Sequence, residues 1–219
     1  GQRNAQIDLL AATIDYTPTG GGVVSYVDGV FGGITIARGV EIENAEGGSG
    51  NDTLLGNGLN NELYGNGGDD VLIGRGGSDL LDGGRGTDIA SYIQSETGVT
   101  ASLLNGTNSE GDTYRSIEGL QGSQFNDVLV GDNNSNILDG LGGDDVIITG
   151  QGDNIVYGGA GDDLIEARNG NDTIDGGDGD DVIDGGTGTD TVSFFGSGAV
   201  NIDLAAGTAT SEAGTDSIS

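Results

Sequence analysis

From residue 140 to 193 the chain repeats every nine residues: GLGGDDVII, TGQGDNIVY, GGAGDDLIE, ARNGNDTID, GGDGDDVID, GGTGTDTVS. Position six of these units is Asp145, Asn154, Asp163, Asp172, Asp181 and Asp190, and position eight is Ile147, Val156, Ile165, Ile174, Ile183 and Val192. Glycine dominates positions one, two and four. A fixed short period with one acid and one aliphatic per unit marks an array of stacked structural repeats, in which each unit buries its apolar residue only against its neighbours. That period excludes most other folds, because neither a helix nor a two-faced strand returns to the same chemistry every nine residues.

The frame extends upstream. Residues 38–46 form a degenerate unit with Glu43 at position six, and five good units follow over 47–91, with Asp52, Asn61, Asp70, Asp79 and Asp88 at position six and Leu54, Leu63, Leu72, Leu81 and Ala90 at position eight. It breaks at Tyr92. Residues 113–121 are again degenerate, with Glu118 at position six; eight units run over 122–193, and the frame stops at Phe194. This divides the chain into a lead-in of β-strands over 1–37, a first array over 38–91, a β spacer over 92–112, a second array over 113–193, and a truncated copy of the spacer over 194–219. The copy is read from Val99, Leu103, Gly106 and Ser116-Ile117, which recur as Val200, Leu204, Gly207 and Ser217-Ile218. Both ends are expected to be cuts through a longer array.

Each nonamer has a six-residue glycine-rich half, which can turn tightly because glycine accepts positive φ, and a three-residue half that can form one short strand. If every turn reverses the chain, two nonamers make a coil of 18 residues. Alternate strands then stack into two parallel sheets about 4.8 Å apart strand to strand, with the position-eight aliphatics meeting inside. The expected fold is therefore all-β: a right-handed parallel β-roll, built as two rolls separated by β-strand spacer segments. Ile165 and Ile183 should stack in one sheet, with Ile174 facing them from the other.

The same geometry stacks the acids. Asp52, Asp70 and Asp88 form one column; Asp127, Asp145, Asp163 and Asp181 form another; Asp172 and Asp190 continue a third after Asn136 and Asn154. Two carboxylates about 5 Å apart repel by roughly 1 kcal/mol in water and by several times that near a protein surface. The chain carries 36 acids against 6 bases, a formal charge of −30, so the columns need counter-ions. Carboxylates and turn carbonyls together make a hard oxygen cage, which suits Ca²⁺ with its 6–8 ligands better than Mg²⁺, which holds its waters and demands an octahedron. The charge excludes nucleic acid and anionic membrane as partners. With no Cys and no His there is no disulfide, no thiolate site and none of the commonest zinc ligand or general base. No run approaches the roughly 18 apolar residues of a membrane span, and Gly1-Gln2-Arg3-Asn4 does not open a signal peptide.

At this point the chain resembles the RTX (repeats-in-toxin) family, whose pattern is GGxGxDxUx with U a large apolar residue. Thirteen units in consecutive frame fit it. The lead-in Ile36-Ala37-Arg38-Gly39-Val40-Glu41-Ile42-Glu43-Asn44-Ala45, running into Gly47-Gly48-Ser49-Gly50-Asn51-Asp52, is similar to the carboxy-terminal region of serralysin-type secreted zinc metalloproteases. The resemblance implies calcium ligation by backbone carbonyls of positions two and four and by the side chain of position six. In the first roll these are Gly48, Gly50 and Asp52; Asn57, Leu59 and Asn61; Asn66, Gly68 and Asp70; Arg75, Gly77 and Asp79; Gly84, Gly86 and Asp88. In the second they are Asp127, Asn136, Gly143 with Asp145, Gly152 with Asn154, Gly159 and Gly161 with Asp163, Gly170 with Asp172, Gly177 and Gly179 with Asp181, and Gly186 and Gly188 with Asp190. The resemblance adds Glu43, the Glu41 carbonyl and, at the entrance of the second roll, Glu118. Asn61, Asn136 and Asn154 replace the acid, and Leu59, Phe125 and Asn134 replace the position-four glycine, so the Asn136/Asn154 step should bind most weakly.

The resemblance implies a monomeric, non-catalytic module binding several calcium ions, part of a secreted, extracellular bacterial protein, folding on calcium and exported by type I secretion machinery. The zinc-binding HExxH helix of the proteases is absent from this chain. Two alternatives are an accessory module of a polysaccharide epimerase or lyase, and an adhesin or ice-binding segment. Position three reads Ser49, Gly58, Gly67, Gly76, Arg85, which is not the threonine column a flat ice-binding face wants.

Overall fold

The computed structural model describes residues 4–9, 26–27, 41–194, 201–203, 207–210 and 214–219. The apolar stretches 23–25 and 34–36, and Val200 and Leu204 of the spacer copy, lie outside the described residues. Among the described residues every regular element is a β-strand. The chain forms two compact units, residues 1–91 with 110–117, and residues 92–109 with 118–219.

In the first unit Ala5–Asp8, Thr53–Leu55, Val71–Ile73 and Ile89–Ser91 form one parallel stack, in which Ile7 pairs with Leu54, Leu54 with Leu72 and Leu72 with Ala90. Asn44–Glu46, Glu62–Gly67, Leu80–Arg85 and Thr113–Arg115 form the other, with Ala45, Leu63, Leu81 and Tyr114 in register. The step between paired residues inside the repeats is 18, so each coil consists of two nonamers. Thr113–Arg115, which the nine-residue frame assigns to the opening of the second array, pairs with the first; the frame resumes as structure at Gly119–Gln121.

The second unit repeats the plan. Gly119–Gln121, Ile137–Gly142, Ile155–Ala160, Thr173–Asp178 and Thr191–Ser193 stack with Leu120, Leu138, Val156, Ile174 and Val192 in register. Opposite them, Thr100–Ser102, Val128–Val130, Val146–Ile148, Leu164–Glu166, Val182–Asp184 and Thr215–Ile218 align Ala101, Leu129, Ile147, Ile165, Ile183 and Ile218. Some strands are longer than three residues: Glu62–Gly67, Leu80–Arg85, Ile137–Gly142, Ile155–Ala160 and Thr173–Asp178 run on through the first three positions of the next loop.

The core is the position-eight ladder. Leu54, Leu63, Leu72, Leu81, Leu129, Leu138, Ile147, Val156, Ile165, Ile174 and Ile183 are all fully buried. Because a three-residue strand points one side chain inward and its two neighbours outward, one aliphatic per nonamer suffices. The spacer supplies the same element without the motif, since Ala101 occupies the inward place beneath Leu129. The spacer and its copy share a hairpin at the expected offset: Thr107–Asn108 lies antiparallel to Thr100–Ser102, and Thr208–Thr210 to Asn201–Asp203. Their closing strands follow a different register, for Tyr114 on Leu81 and Ile218 on Ile183 are the structural equivalents, not Ile117 and Ile218.

Candidate metal centre

The loops are held by their torsions. At position two, Asn66, Arg75, Leu141 and Arg168 have φ of 72°, 69°, 72° and 65°, and at position four Gly68, Gly77, Gly143 and Gly161 have φ of 115°, 118°, 104° and 134°. Left-handed φ at a leucine or arginine is strained, whereas glycine accepts it freely, which is why the motif puts glycine at both places. The carbonyls of these positions face the next coil along the stack. A Cβ on Gly159 or Gly177 would run into the carbonyl of Leu141 or Gly159, and one on Gly161 or Gly179 into that of Gly143 or Gly161.

Position six joins consecutive coils. The Oδ1 of Asp70 accepts the Asp52 amide at 2.7 Å, that of Asp88 the Asp70 amide at 2.8 Å, and those of Asp145, Asp163 and Asp181 the amides of Asp127, Asp145 and Asp163 at 2.7, 2.8 and 2.9 Å. On the other edges Asp79 takes the Asn61 amide at 2.7 Å, Asn154 the Asn136 amide at 2.9 Å, Asp172 the Asn154 amide at 2.8 Å and Asp190 the Asp172 amide at 3.0 Å. The columns at a spacing of 18 are therefore real neighbours. Glu43 and Glu118 occupy the same backbone place, their carbonyls accepting the Glu62 and Ile137 amides at 3.0 and 3.1 Å.

The second carboxylate oxygen is the unusual one. Oδ2 of Asp70, Asp79, Asp145, Asp163, Asp172 and Asp181 is buried and makes no hydrogen bond. Except at Asp172, whose loop opens with Ala167, it tucks under the position-one glycine of its own loop. A Cβ on Gly65, Gly140 or Gly158 would overlap both the Oδ2 of Asp70, Asp145 or Asp163 and the carbonyl of Gly83, Gly158 or Gly176 from the next coil. Two electron-rich oxygens thus converge with no proton between them. Burial, opposed by the hydrogen bond from the amide one coil away and reinforced by neighbouring carboxylates, raises Asp145 to about 8, Asp163 and Asp79 to about 7 and Asp181 to about 6. Asp70 and Asp172 also lie above the ordinary carboxylate range, chiefly through burial. An uncompensated buried carboxylate is costly, so the site demands a proton or a cation. Among the described residues no three acidic side chains converge; a cation here would take the rest of its shell from carbonyls, and the oxygen-only donor set fits calcium.

Those geometric features recur along the nine-residue motif. The family model of the RTX calcium-binding nonapeptide repeat matches residues 41–58, 55–90, 121–156 and 157–192, more than half of the chain. The chain belongs to the RTX calcium-binding repeat family. Its repeats are calcium-binding units, and four matched copies imply several calcium ions. Among curated proteins, metalloprotease AprA of Pseudomonas entomophila (strain L48) is 63% identical over 35 residues, covering 16% of this chain and 7% of that protein. Serralysin of Photorhabdus laumondii subsp. laumondii and serralysin of Photorhabdus luminescens are each 67% identical over 33 residues, 15% of this chain and 7% of the relative. These alignments span only about 7% of each relative's length.

Several participants in the RTX rolls are not legible from the motif. Asp112 and Asp216 act as terminal position-six residues, their Oδ1 atoms accepting the Asp79 and Asp181 amides at 2.8 and 3.2 Å. Both precede a residue that takes the inward place, by two positions, and that Asp-x-apolar spacing was the available signal. Position five forms a second ladder. Asn51 accepts the Asp69 amide and Asp69 that of Thr87, both at 2.9 Å, while Asn126, Asp144 and Asp162 accept the amides of Asp144, Asp162 and Asp180 at 3.1, 3.0 and 2.9 Å. The frequent Asn and Asp at position five signalled it. Asp8 forms a bidentate ion pair with Arg75 at 2.7 and 2.9 Å; nothing in the sequence joins two residues so far apart.

Proposed function

We propose that this chain is a non-catalytic module that folds on binding calcium and accompanies a secreted bacterial protein. The observation that carries the reading is the row of buried carboxylate oxygens without a hydrogen-bond donor at Asp70, Asp79, Asp145, Asp163, Asp172 and Asp181. In calcium, those oxygens and the position-two and position-four carbonyls of adjacent coils, for example Leu141, Gly143, Gly159 and Gly161 around Asp145 and Asp163, would supply the ion's shell. Without calcium, neutral pH sets a chain of formal charge −30 against its own folding. Binding free energy then becomes folding free energy. The low-calcium interior of a bacterium would hold the chain open and the medium would close it, which is the behaviour that export of an unfolded chain through a type I system requires. Supporting the link to secretion is the similarity to serralysins and AprA; supporting a non-catalytic role is a sequence with neither His nor Cys.

Circular dichroism and small-angle scattering in chelator and in millimolar calcium test the reading. The expected result is a largely disordered, expanded chain that becomes compact and β-rich on adding calcium. Equal β content and equal dimensions in both conditions would sink it.

A further inference from the structure

One step of the second roll does not fit a calcium ion. At Asn154 the side-chain oxygen behaves like the aspartates' Oδ1, accepting the Asn136 amide at 2.9 Å, whereas Asn136 Oδ1 accepts the Asp132 amide of its own loop at 2.8 Å, beneath Gly131. The other side-chain atom is an amide nitrogen, and it turns the local chemistry over. Asn154 Nδ2 donates to the Gly152 carbonyl at 2.9 Å and to Asp172 Oδ1 at 3.0 Å. Gly152 is a position-four residue whose carbonyl faces the next coil, so where the equivalent carbonyls would face a cation this one meets an N–H. Asn136 Nδ2 donates to the Glu118 carbonyl and to Asp132 Oδ1, both at 3.2 Å. The Asp132 carboxylate also accepts the backbone and side-chain N–H groups of Asn134, each at 2.8 Å.

Position one carries a donor in the Asn154 loop, although the Asn136 loop keeps a glycine there, Gly131. In the loops of Asp70, Asp79, Asp145, Asp163 and Asp181 it is a glycine, beneath which the unpaired Oδ2 sits. In the Asn154 loop it is Thr149, buried, whose hydroxyl donates to the Ala167 carbonyl. The oxygens around both asparagines thus meet side-chain donors, Asp132 and the Glu118 carbonyl at Asn136 and the Gly152 carbonyl, Asp172 Oδ1 and the Ala167 carbonyl at the Asn154 loop, where Oδ2 of Asp145 and Asp163 meets none.

We propose that the Asn136–Asn154 step is a metal-free clamp, in which the Asn136 amide and the Asn134 N–H groups, gathered on Asp132, stand in for a calcium ion, and the Asn154 amide and Thr149 hydroxyl carry the same device on to Asp172 and Ala167 of the next coil. The proposal rests on calcium binding by the other loops. It removes Asn136, Gly152 and Asn154 from the ligand set that the family resemblance implies. A cation entering here would have to displace donors and would gain no carboxylate from position six, since both residues there are neutral. The roll therefore has one edge that closes with calcium along Asp127, Asp145, Asp163 and Asp181, and an opposite edge with one step that closes without it.

Native mass spectrometry at saturating calcium tests the assignment on three chains: the wild type, the Asn136→Asp/Thr149→Gly/Asn154→Asp variant, and Asp163→Asn. Restoring two carboxylates and the position-one glycine should raise the bound calcium by one ion. An unchanged count overturns the clamp. Should the triple variant fail to fold, Asn136→Asp/Asn154→Asp serves the same count, and a calcium-bound crystal structure of the wild type decides independently: ion density between loops 131–136 and 149–154 overturns the proposal, and its absence beside density between loops 140–145 and 158–163 supports it. Asp163→Asn is the separate control. A count that does not fall in that variant, with no density at the Asp145/Asp163 step, would remove the calcium reading itself.

Discussion

Replacing Ile174 by aspartate should unfold the second roll's core, whereas the same change at its neighbour Thr173 should not. Ile174 is 0% exposed and lies in register between Val156 and Val192. Thr173 is exposed one residue away on the outer face. Losing the buried aliphatic removes about 2–3 kcal/mol of hydrophobic stabilisation, and a carboxyl group left in an apolar interior without a partner adds several kcal/mol more. The expected destabilisation is therefore about 5 kcal/mol. For a chain of this size each kcal/mol lowers the melting temperature by roughly 2–4 °C, so Ile174→Asp should melt on the order of 10–20 °C below wild type in saturating calcium. Exposed substitutions stay within about 0.5 kcal/mol, so Thr173→Asp should melt within about 2 °C of wild type. Ile174→Val, which removes one methylene, should cost about 1 kcal/mol. Thermal melts of the calcium-loaded variants by circular dichroism check all three. Equal losses in the two aspartate variants would mean that position eight does not point inward and that the coil has been read in the wrong register.

Asp163→Asn should weaken calcium binding at two steps, measured by isothermal titration, while Asn154→Ala should leave the calcium count unchanged and lower stability by about 1–3 kcal/mol, because it strands buried oxygens. The pH response should change sign with calcium. In chelator, Asp145, Asp163, Asp79 and Asp181 hold protons to about 8, 7, 7 and 6, above the ordinary 3.8, so the folded state binds more protons than the unfolded one. The penalty for ionising them is absent below about pH 4, grows between pH 4 and 8 and is complete above that, and acidification of the calcium-free chain from pH 8 to 5 should increase β structure. In calcium the same acidification should lower the apparent affinity, since protons compete with the ion. Purified chain supplied with zinc or calcium should show no hydrolysis of casein and no turnover of alginate; confirmed turnover of either would overturn the non-catalytic reading.

The fold was legible because one residue in nine had to be apolar and one had to be acidic. Those two constraints give the 18-residue coil, the inward Leu and Ile ladder and the Asp columns before any coordinate is known. What escaped the motif was set by backbone, not by side-chain type. Ala101 beneath Leu129 and Tyr114 on Leu81 continue the stacks with residues that any loop could carry. The nine-residue frame placed Thr113–Arg115 with the array that follows, but strand pairing depends on which open edge is adjacent, and the open edge belongs to the array before. The asparagines show a subtler limit. Asn136 and Asn154 differ from aspartate by one atom, and charge counting ranks them as weakened sites. Their hydrogen bonds reveal a donor where the others have an acceptor, a difference of kind that depends on which way the amide turns.

The two polar ladders run in opposite senses. At position six an earlier coil donates its amide to a later coil's side chain, as Asp145 does to Asp163; at position five the later coil donates to the earlier, as Asp162 does to Asp144. Each loop of an interior coil therefore gives and receives once on each neighbour, and the coil's upper and lower surfaces are complementary to those of any other interior coil. Cutting out 18 residues leaves two faces that rejoin with all their bonds intact. Cutting out nine puts each strand on the opposite sheet and sets the Asp145 column against the Asn154 column. Length in such a roll is free to drift during evolution, but only in whole coils, and unequal crossing-over between coils is a silent event for the fold.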